Sequence, residues 1–356
     1  MVSDGLNSGE TDHRFIFNFK HKPQSQMKVG ILGGTGMIGH HTAIATIKAG
    51  HELVVIHRTT SNLDRIRDLT FNSRIGDLQD ATSLTSAFKG LDWVINCAAY
   101  YPTKPRSVKL EMATAGQQTK NFIHAVSSSG IKKALYLGGS IVIPRAESGL
   151  GTEDGVYDDA PPNKAPYIQV KWLMDKMIRE AGQNGVPIVI GIPTMTFGEY
   201  DYGPTTGKLV VDIANKNLPA YVRGNRNIIY AGDAGRGLLL ACEKGRKGAR
   251  YLLTGENISM DDLVTKISRH ANVPPPPNVL PLTVAKAISW LQETRYKLFK
   301  GKLPQLSSTA IAVLSAGQFI DGLKAKKELG YAPSLDLDQT IDKTINWFRS
   351  EGYIRS

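Results

Sequence analysis

The stretch MKVGILGGTGMIGHHTAIATIKAG, residues 27–50, constrains this chain more than any other part of it. Apolar residues that read as a buried strand run straight into glycines spaced GxxGxxG (Gly33, Gly36 and Gly39), and an apolar-periodic helix follows and stops at Gly50. In that setting each glycine has a physical task. Gly33 permits a tight turn, Gly36 lets backbone approach a pyrophosphate, and Gly39 allows close helix–sheet packing. The helix N-terminus behind them offers free N–H groups to an anion. The strand–turn–helix context points to dinucleotide binding, where the glycine pattern alone indicates only a tight turn.

The rhythm then repeats. HELVVIHR, LDWVINCAA, IKKALYLGGS and VPIVIGIP read as buried strands. SNLDRIRDL, TAGQQTKNFIHAVSSSG and YIQVKWLMDKMIREAGQNG read as helices between them. Strands alternating with helices predict right-handed crossovers and an α/β fold, a Rossmann-type doubly wound parallel sheet. After about residue 196 the rhythm breaks into FGEYDYGPTTG, the PPPP turn at 274–277, and helical segments at 261–271, 282–299 and 338–351. The expected organisation is a tail over 1–26, a dinucleotide-binding domain over 27–195, and a smaller, mostly helical substrate lobe over 196–356 with some segments returning to the sheet.

Composition narrows the classes. With 41% hydrophobic and 21% charged residues the chain reads as an ordinary globular protein. Its formal charge of +11 suits an anionic ligand, but without a run of like charges a nucleic-acid tail is not expected. Cys97 and Cys242 make neither a disulfide framework nor a CxxC metal site, and fit a reducing cytoplasm. No apolar stretch reaches the ~18 residues of a spanning helix. Near the N-terminus, HRFIFNFKHK offers a basic-aromatic membrane tether as one alternative to a plain tail. The adjacent His40 and His41 point in different directions from one helix, so no metal is expected there, and Asp233 reads as a helix N-cap.

Two further places carry chemistry. At the end of the second strand an acidic residue would select NAD by binding a ribose hydroxyl. Here the residues are IHRTTSN, and Arg58 with nearby Thr59, Thr60 and Ser61 suits a 2′-phosphate, which makes NADP(H) the preferred cofactor and NAD(H) the alternative. Asp77 and Leu78, in GDLQD, fall where a loop meets adenine. Farther on, Tyr167 and Lys171 stand four residues apart on one helix face. A phenol is a weak acid near neutrality, and an adjacent ammonium is expected to lower its pKa until it exchanges a proton with an alcohol or carbonyl oxygen.

Taken with GGTGMIG, Arg58, GDL, NCAA and YIQVK, the chain resembles the extended short-chain dehydrogenases/reductases. Within them it resembles the dihydroflavonol-4-reductase-like (NAD-dependent epimerase/dehydratase) group, near the hopanoid-associated sugar epimerases. The resemblance implies an NAD(P)-dependent enzyme with Tyr167 as general acid/base and Lys171 as its activator. It implies that Gly33, Thr35, Gly36, Met37 and Ile38 hold the pyrophosphate, that Ala98 and Ala99 line the cofactor's middle, and that Pro193 and Thr194 border the nicotinamide. It also implies homodimerisation through two long helices as an option. Two departures stand out. The serine that ends the fifth strand in this group falls on Gly139; a one-residue slip normally turns a hydroxyl to the other face, so Ser140 takes the role only if the glycine-rich strand end bends to restore it. The asparagine of the group's proton relay is Ala115 here.

For the substrate, Tyr100, Tyr101, Tyr200 and Tyr202 are expected to line an aromatic pocket with Tyr221 and Arg223 opposite, which favours a flat or apolar molecule over a sugar. The amphipathic segment LTVAKAISWLQETRYKLFKGK is expected as a lid or wall helix of that pocket, with a membrane-surface helix as the alternative. Reduction of a ketone or aldehyde of a moderately hydrophobic secondary metabolite (or oxidation of its alcohol) is the expected activity. An epimerase/dehydratase acting on a sugar and a nucleotide-binding redox sensor are the alternatives.

Overall fold

The structure, a computed structural model, describes residues 26–102, 106–299 and 308–355. Seven strands form one sheet: β1 (Lys28–Leu32), β2 (Glu52–His57), β3 (Asn72–Ile75), β4 (Trp93–Asn96), β5 (Lys133–Leu137), β6 (Ile188–Pro193) and β7 (Arg250–Leu253). Their spatial order is β7-β6-β5-β4-β1-β2-β3, and every neighbouring pair is parallel. The order reverses between β1 and β4, and a crevice opens at that switch point beyond the carboxyl ends of the strands.

Strand residues alternate between two apolar layers, because a parallel sheet is covered on both faces. Val29, Ile31, Val55 and Ile95 face α1 (Met37–Lys48) and α6 (Ala231–Lys244). Leu32, Val54, Ile56 and Val94 face the opposite layer, built from α2 (Ala81–Phe88), α3 (Val108–Ser128) and α4 (Pro166–Gln183). Local signals set the ends of these helices. The Asp80 carboxylate accepts the Thr82 and Ser83 N–H groups at the start of α2, and Ser107 accepts Leu110 N–H at the start of α3.

The glycine turn splits its tasks between fold and ligand. Gly33 has a φ of +77°, a left-handed turn that glycine adopts freely. A Cβ on Gly39 would come within 2.1 Å of the Gly33 carbonyl oxygen, so only glycine lets α1 start this close to the turn. Gly36 has an ordinary extended backbone, and a Cβ there would meet nothing closer than 3.6 Å. The fold itself does not require Gly36 to lack a side chain.

Beyond β6 the chain builds a second layer of structure over the carboxyl edge. A three-stranded sheet of Glu256–Ser259, Asn225–Tyr230 and Met195–Phe197 packs with α5 (Lys208–Ala214), α7 (Met260–Ala271) and α11 (Leu337–Ser350) around Phe197, Ile228, Leu263, Ile341 and Phe348. This part is mostly helical, as expected, with the small sheet set among its helices, while α6 and β7 return to the main sheet. The remaining helices are α8 (Leu282–Phe299), α9 (Ser308–Ser315) and α10 (Leu323–Leu329). Asp233 does not cap its helix. The cap position is Tyr230, and the buried Asp233 carboxylate instead accepts Arg236 Nη2 at 2.7 Å and the Ser334 N–H at 2.8 Å, tying α6 to the loop before α11.

The second and third glycines of the turn differ in what they control, and stability measurements separate them. Gly39→Ala drives a Cβ into backbone and should cost about 3 kcal/mol or more, whereas Gly36→Ala should stay within about 1 kcal/mol of the parent. Chemical denaturation of the cofactor-free proteins checks the contrast. Equal losses would contradict it.

Candidate active site

The site grows from the ends of β1, β4, β5 and β6. The Asn96 side chain accepts Ala98 N–H at 3.0 Å and turns the chain sharply out of β4. Ala98 and Ala99 then pass directly beside Gly33, whose hydrogens point at the Ala98 amide. This crevice continues as a cavity of about 440 Å³ lined by Gly33, Thr35, Arg58, Asp77, Leu78 and the two alanines. No acidic residue ends β2. The Arg58 N–H is held by Ser61 Oγ at 3.2 Å, and both residues line the cavity. Asp77 accepts the Gln79 N–H at 2.9 Å, and the Leu78 carbonyl accepts Asn121 Nδ2 at 2.9 Å, which fixes the wall where a planar base would rest. Crevice, left-handed turn and the uncapped N-terminus of α1 fit a dinucleotide, although Gly36 itself is not part of the cavity lining.

A second cavity of about 290 Å³ follows along the same edge, and Met37, Ile38, Ser140, Tyr167, Lys171, Pro193 and Thr194 line it. Tyr167 and Lys171 stand in the first turns of α4. Pro166 starts that helix at a position where the missing N–H costs nothing. Gln169 Nε2 donates to the Pro161 and Asn163 carbonyls, and Trp172 Nε1 donates to the Tyr157 carbonyl, so the approach to the helix is tied to its own first turns. The Lys171 ammonium lies 5.9 Å from the centre of the Tyr167 ring. Tyr101 crosses that ring at 4.8 Å and joins the two cavities, since it also lines the first.

Electrostatics here are dominated by burial. Lys171 is 8% exposed, and desolvation pushes its pKa down to about 8. Burial also pushes the Tyr167 phenol above its usual range, with Tyr101 adding to the effect. That departs from the expected lowering of Tyr167 by Lys171. In the protein alone, withdrawal from water outweighs attraction to the ammonium. The consequence is a phenol that holds its proton firmly beside an amine that titrates near neutrality.

Ser140 follows two glycines at the end of β5. Gly138 sits where a Cβ would touch Ile192 at 2.9 Å, and the chain turns at Gly139 into a short 3-10 helix, Ser140–Val142. Gly139 lies against the stem of Lys171, and Ser140 faces the same cavity as Tyr167. Ala115 is fully buried on α3 and carries no group for a proton relay.

Other expected residues lie elsewhere. Tyr200 and Tyr202 line neither cavity. Tyr200 stacks on the buried His40 ring at 3.6 Å, and Tyr202 meets the edge of Trp347 at 5.2 Å, which closes the junction between α1 and α11. Tyr221 donates to Asp261 at 2.5 Å and Arg223 pairs with the same carboxylate at 3.2 Å, also away from the cavities. No residue of α8 lines the second cavity. Its far wall comes instead from Thr205, Asn225, Arg226 and Asn227, and from Val313, Gln318 and Ile320 in and after α9. A chain of amides holds that wall: Thr194 Oγ1 donates to Asn227, Asn227 to Asn257, and Asn257 to the Ile320 carbonyl. Apart from Thr194, none of these residues has a local signal in the sequence, because they meet only through the topology of the second layer.

Comparison with known proteins identifies the family and the fold. The model of the family described as NAD dependent epimerase/dehydratase matches residues 29–253. A solved nucleoside-diphosphate-sugar epimerase from Pseudomonas aeruginosa is similar at 39% identity, over 92% of this chain and 99% of that one, with a TM-score of 0.80. A Synechocystis sp. protein bearing the provisional name dihydroflavonol 4-reductase is 26% identical over 92% of this chain and 96% of its own length. A sterol-4-alpha-carboxylate 3-dehydrogenase, decarboxylating, from Dictyostelium discoideum is 27% identical over 88% of this chain and 99% of its own.

Arg58 and Ser61 supply the discriminating measurement for the first cavity. Arg58→Ala should weaken NADPH binding about tenfold or more while leaving NADH within a few-fold, as expected when one charge-assisted phosphate contact is removed. Titration of both nucleotides by fluorescence checks it. An equal change for both would show that Arg58 does not meet the 2′-phosphate.

Proposed function

Since the chain belongs to the NAD dependent epimerase/dehydratase family, as an enzyme of the extended short-chain dehydrogenase/reductase type, we propose that it reduces a ketone or aldehyde of a moderately hydrophobic small molecule, or oxidises the corresponding alcohol, with NADP(H) preferred over NAD(H). The observation that carries this reading is the buried pairing of Tyr167 with Lys171 in a cavity that continues the dinucleotide crevice.

When bound, a nicotinamide cofactor would supply or accept the hydride. The protein's own residues do the rest. Tyr167, a protonated phenol because of its burial, gives its proton to the substrate oxygen as negative charge develops there. Lys171, charged below about pH 8, stabilises the phenolate that remains. Ser140 donates a hydrogen bond to the same oxygen and orients the carbonyl. Walls of Ile141, Met195, Val313 and Ile320 exclude water from the exchange. In the oxidative direction each proton step runs backwards.

Arg226 favours a second reading of the substrate. It lines the cavity at 6% exposure, and Gly317 lies against it where a Cβ would strike Nη1. A buried guanidinium on the wall suits a substrate that carries a carboxylate beside its carbinol, the type named in the Dictyostelium relative. Oxidation of such a 3-hydroxy acid would leave a 3-keto acid, which loses carbon dioxide as the bonding pair moves into an enolate that is then protonated.

Two measurements test the assignment of Tyr167 and Lys171. Tyr167→Phe should lower kcat by roughly 10²–10⁴ while nucleotide affinity stays within a few-fold; turnover close to the parent would remove Tyr167 from the reaction. For the parent, kcat/KM for carbonyl reduction should be highest below about pH 8 and fall as pH rises through that value, because Lys171 then loses its proton. A flat profile well above pH 8 would show that the lysine charge is not needed.

A further inference from the structure

The outer face of α8 is an apolar surface that the site does not account for. Its inner side is accounted for, since Ala285 packs with Val222 and Ile311 of α9, and Ser289 is buried below it. The opposite side is apolar and open to solvent: Val284 is 44% exposed, Trp290 69%, Leu291 63%, Leu298 69% and Phe299 78%. Val284, Leu291 and Leu298 recur at sevens, so they form one stripe along the helix, with Trp290 beside it and Phe299 at its end. Single exposed apolar residues are ordinary, but a continuous stripe of this kind marks an interaction surface. It lines neither cavity, so the chemistry of the site does not explain it.

We infer that this face seats α8 in the surface of an anionic lipid bilayer. Charge chooses the occupant. Lys286 and Arg295 are exposed beside the stripe, the sequence of the helix adds Lys297 against Glu293 alone, and the chain carries a formal charge of +11. A two-fold contact between copies of this chain would set the same basic groups against one another. A bilayer of anionic headgroups instead complements them, with the apolar stripe and the indole at the headgroup–acyl boundary. Among the described residues no helix is long and apolar enough to cross a membrane, so the helix lies in the interface plane. The same helix pair connects to the substrate cavity, because Val313 of α9 is both 40% exposed and part of the cavity wall. Docking therefore brings the catalytic cavity to a lipid surface, whichever substrate reading holds.

Flotation of the full chain with vesicles tests the inference without any turnover. The probes are phosphatidylcholine vesicles and phosphatidylcholine vesicles containing phosphatidylglycerol. The protein should float with the anionic vesicles and remain below with the neutral ones, and added salt should release it. Leu291→Glu together with Phe299→Glu should cut binding roughly tenfold or more, as should Lys286→Glu together with Arg295→Glu. All four side chains are exposed and outside the cavities, and retained NADPH binding confirms that the variants fold. Phe15→Ser with Phe17→Ser, in the N-terminal stretch outside the described residues, should float like the parent. No flotation of the parent, equal flotation on neutral vesicles, or loss only in the N-terminal variant would each overturn the inference. So would a concentration-dependent dimer split by Leu291→Glu with Phe299→Glu, which would make a second copy the occupant.

Discussion

Everything at this site hangs on one backbone approach: the start of α1 against the turn that ends β1. Gly39 brings the helix within a distance of the Gly33 carbonyl that any Cβ would forbid. Gly33 itself lies against the first residues after β4. Strand order reverses between those two strands, so the contact defines the crevice and aims the free end of α1 into it. The same helix then receives Gly235 of α6, where a Cβ would be 2.5 Å from the His41 carbonyl carbon. Two glycine contacts thus fix α1 on the sheet and α6 on α1. Cofactor crevice and reactive cavity are placed by this packing as much as by their own side chains.

Burial then does for Tyr167 and Lys171 what proximity alone would not. Water would leave a phenol and an ammonium near their ordinary values. Here desolvation raises one and lowers the other, with Tyr101 against the ring and Gly139, just after β5, against the lysine stem. The protein alone holds the proton-donor form of Tyr167. Positive charge on an oxidised nicotinamide would act in the opposite sense and ease the phenol toward its phenolate. The direction of proton movement would then follow the redox state of the bound nucleotide.

What could be read from the sequence was what is local. The glycine spacing, the buried strands, the missing acid after β2 and the Tyr167–Lys171 interval are each set within a few residues, and each stands where the sequence placed it. The far cavity wall could not be read, because Asn227 and Gln318 reach it through strands that pair only in the finished fold. Counting aromatics misled for a physical reason. Tyr200 and Tyr202 follow a strand that ends near the cavity, yet the left-handed backbone at Tyr200 (φ +68°) turns them onto His40 and Trp347, where they seal a seam between layers. For α8, amphipathicity identified a helix with two different faces but could not say which face would be covered.

Transfer of the label from reduced nicotinamide deuterated at C4 tests the central claim most directly. The purified protein is incubated with labelled NADPH or NADH and a mixture of candidate carbonyl compounds, and products are weighed by mass spectrometry. Net reduction predicts a product heavier by one deuterium, formed faster from NADPH and lost in Tyr167→Phe. An isomerised or dehydrated product without label would contradict it, since the hydride would then have been taken from the substrate and returned to it.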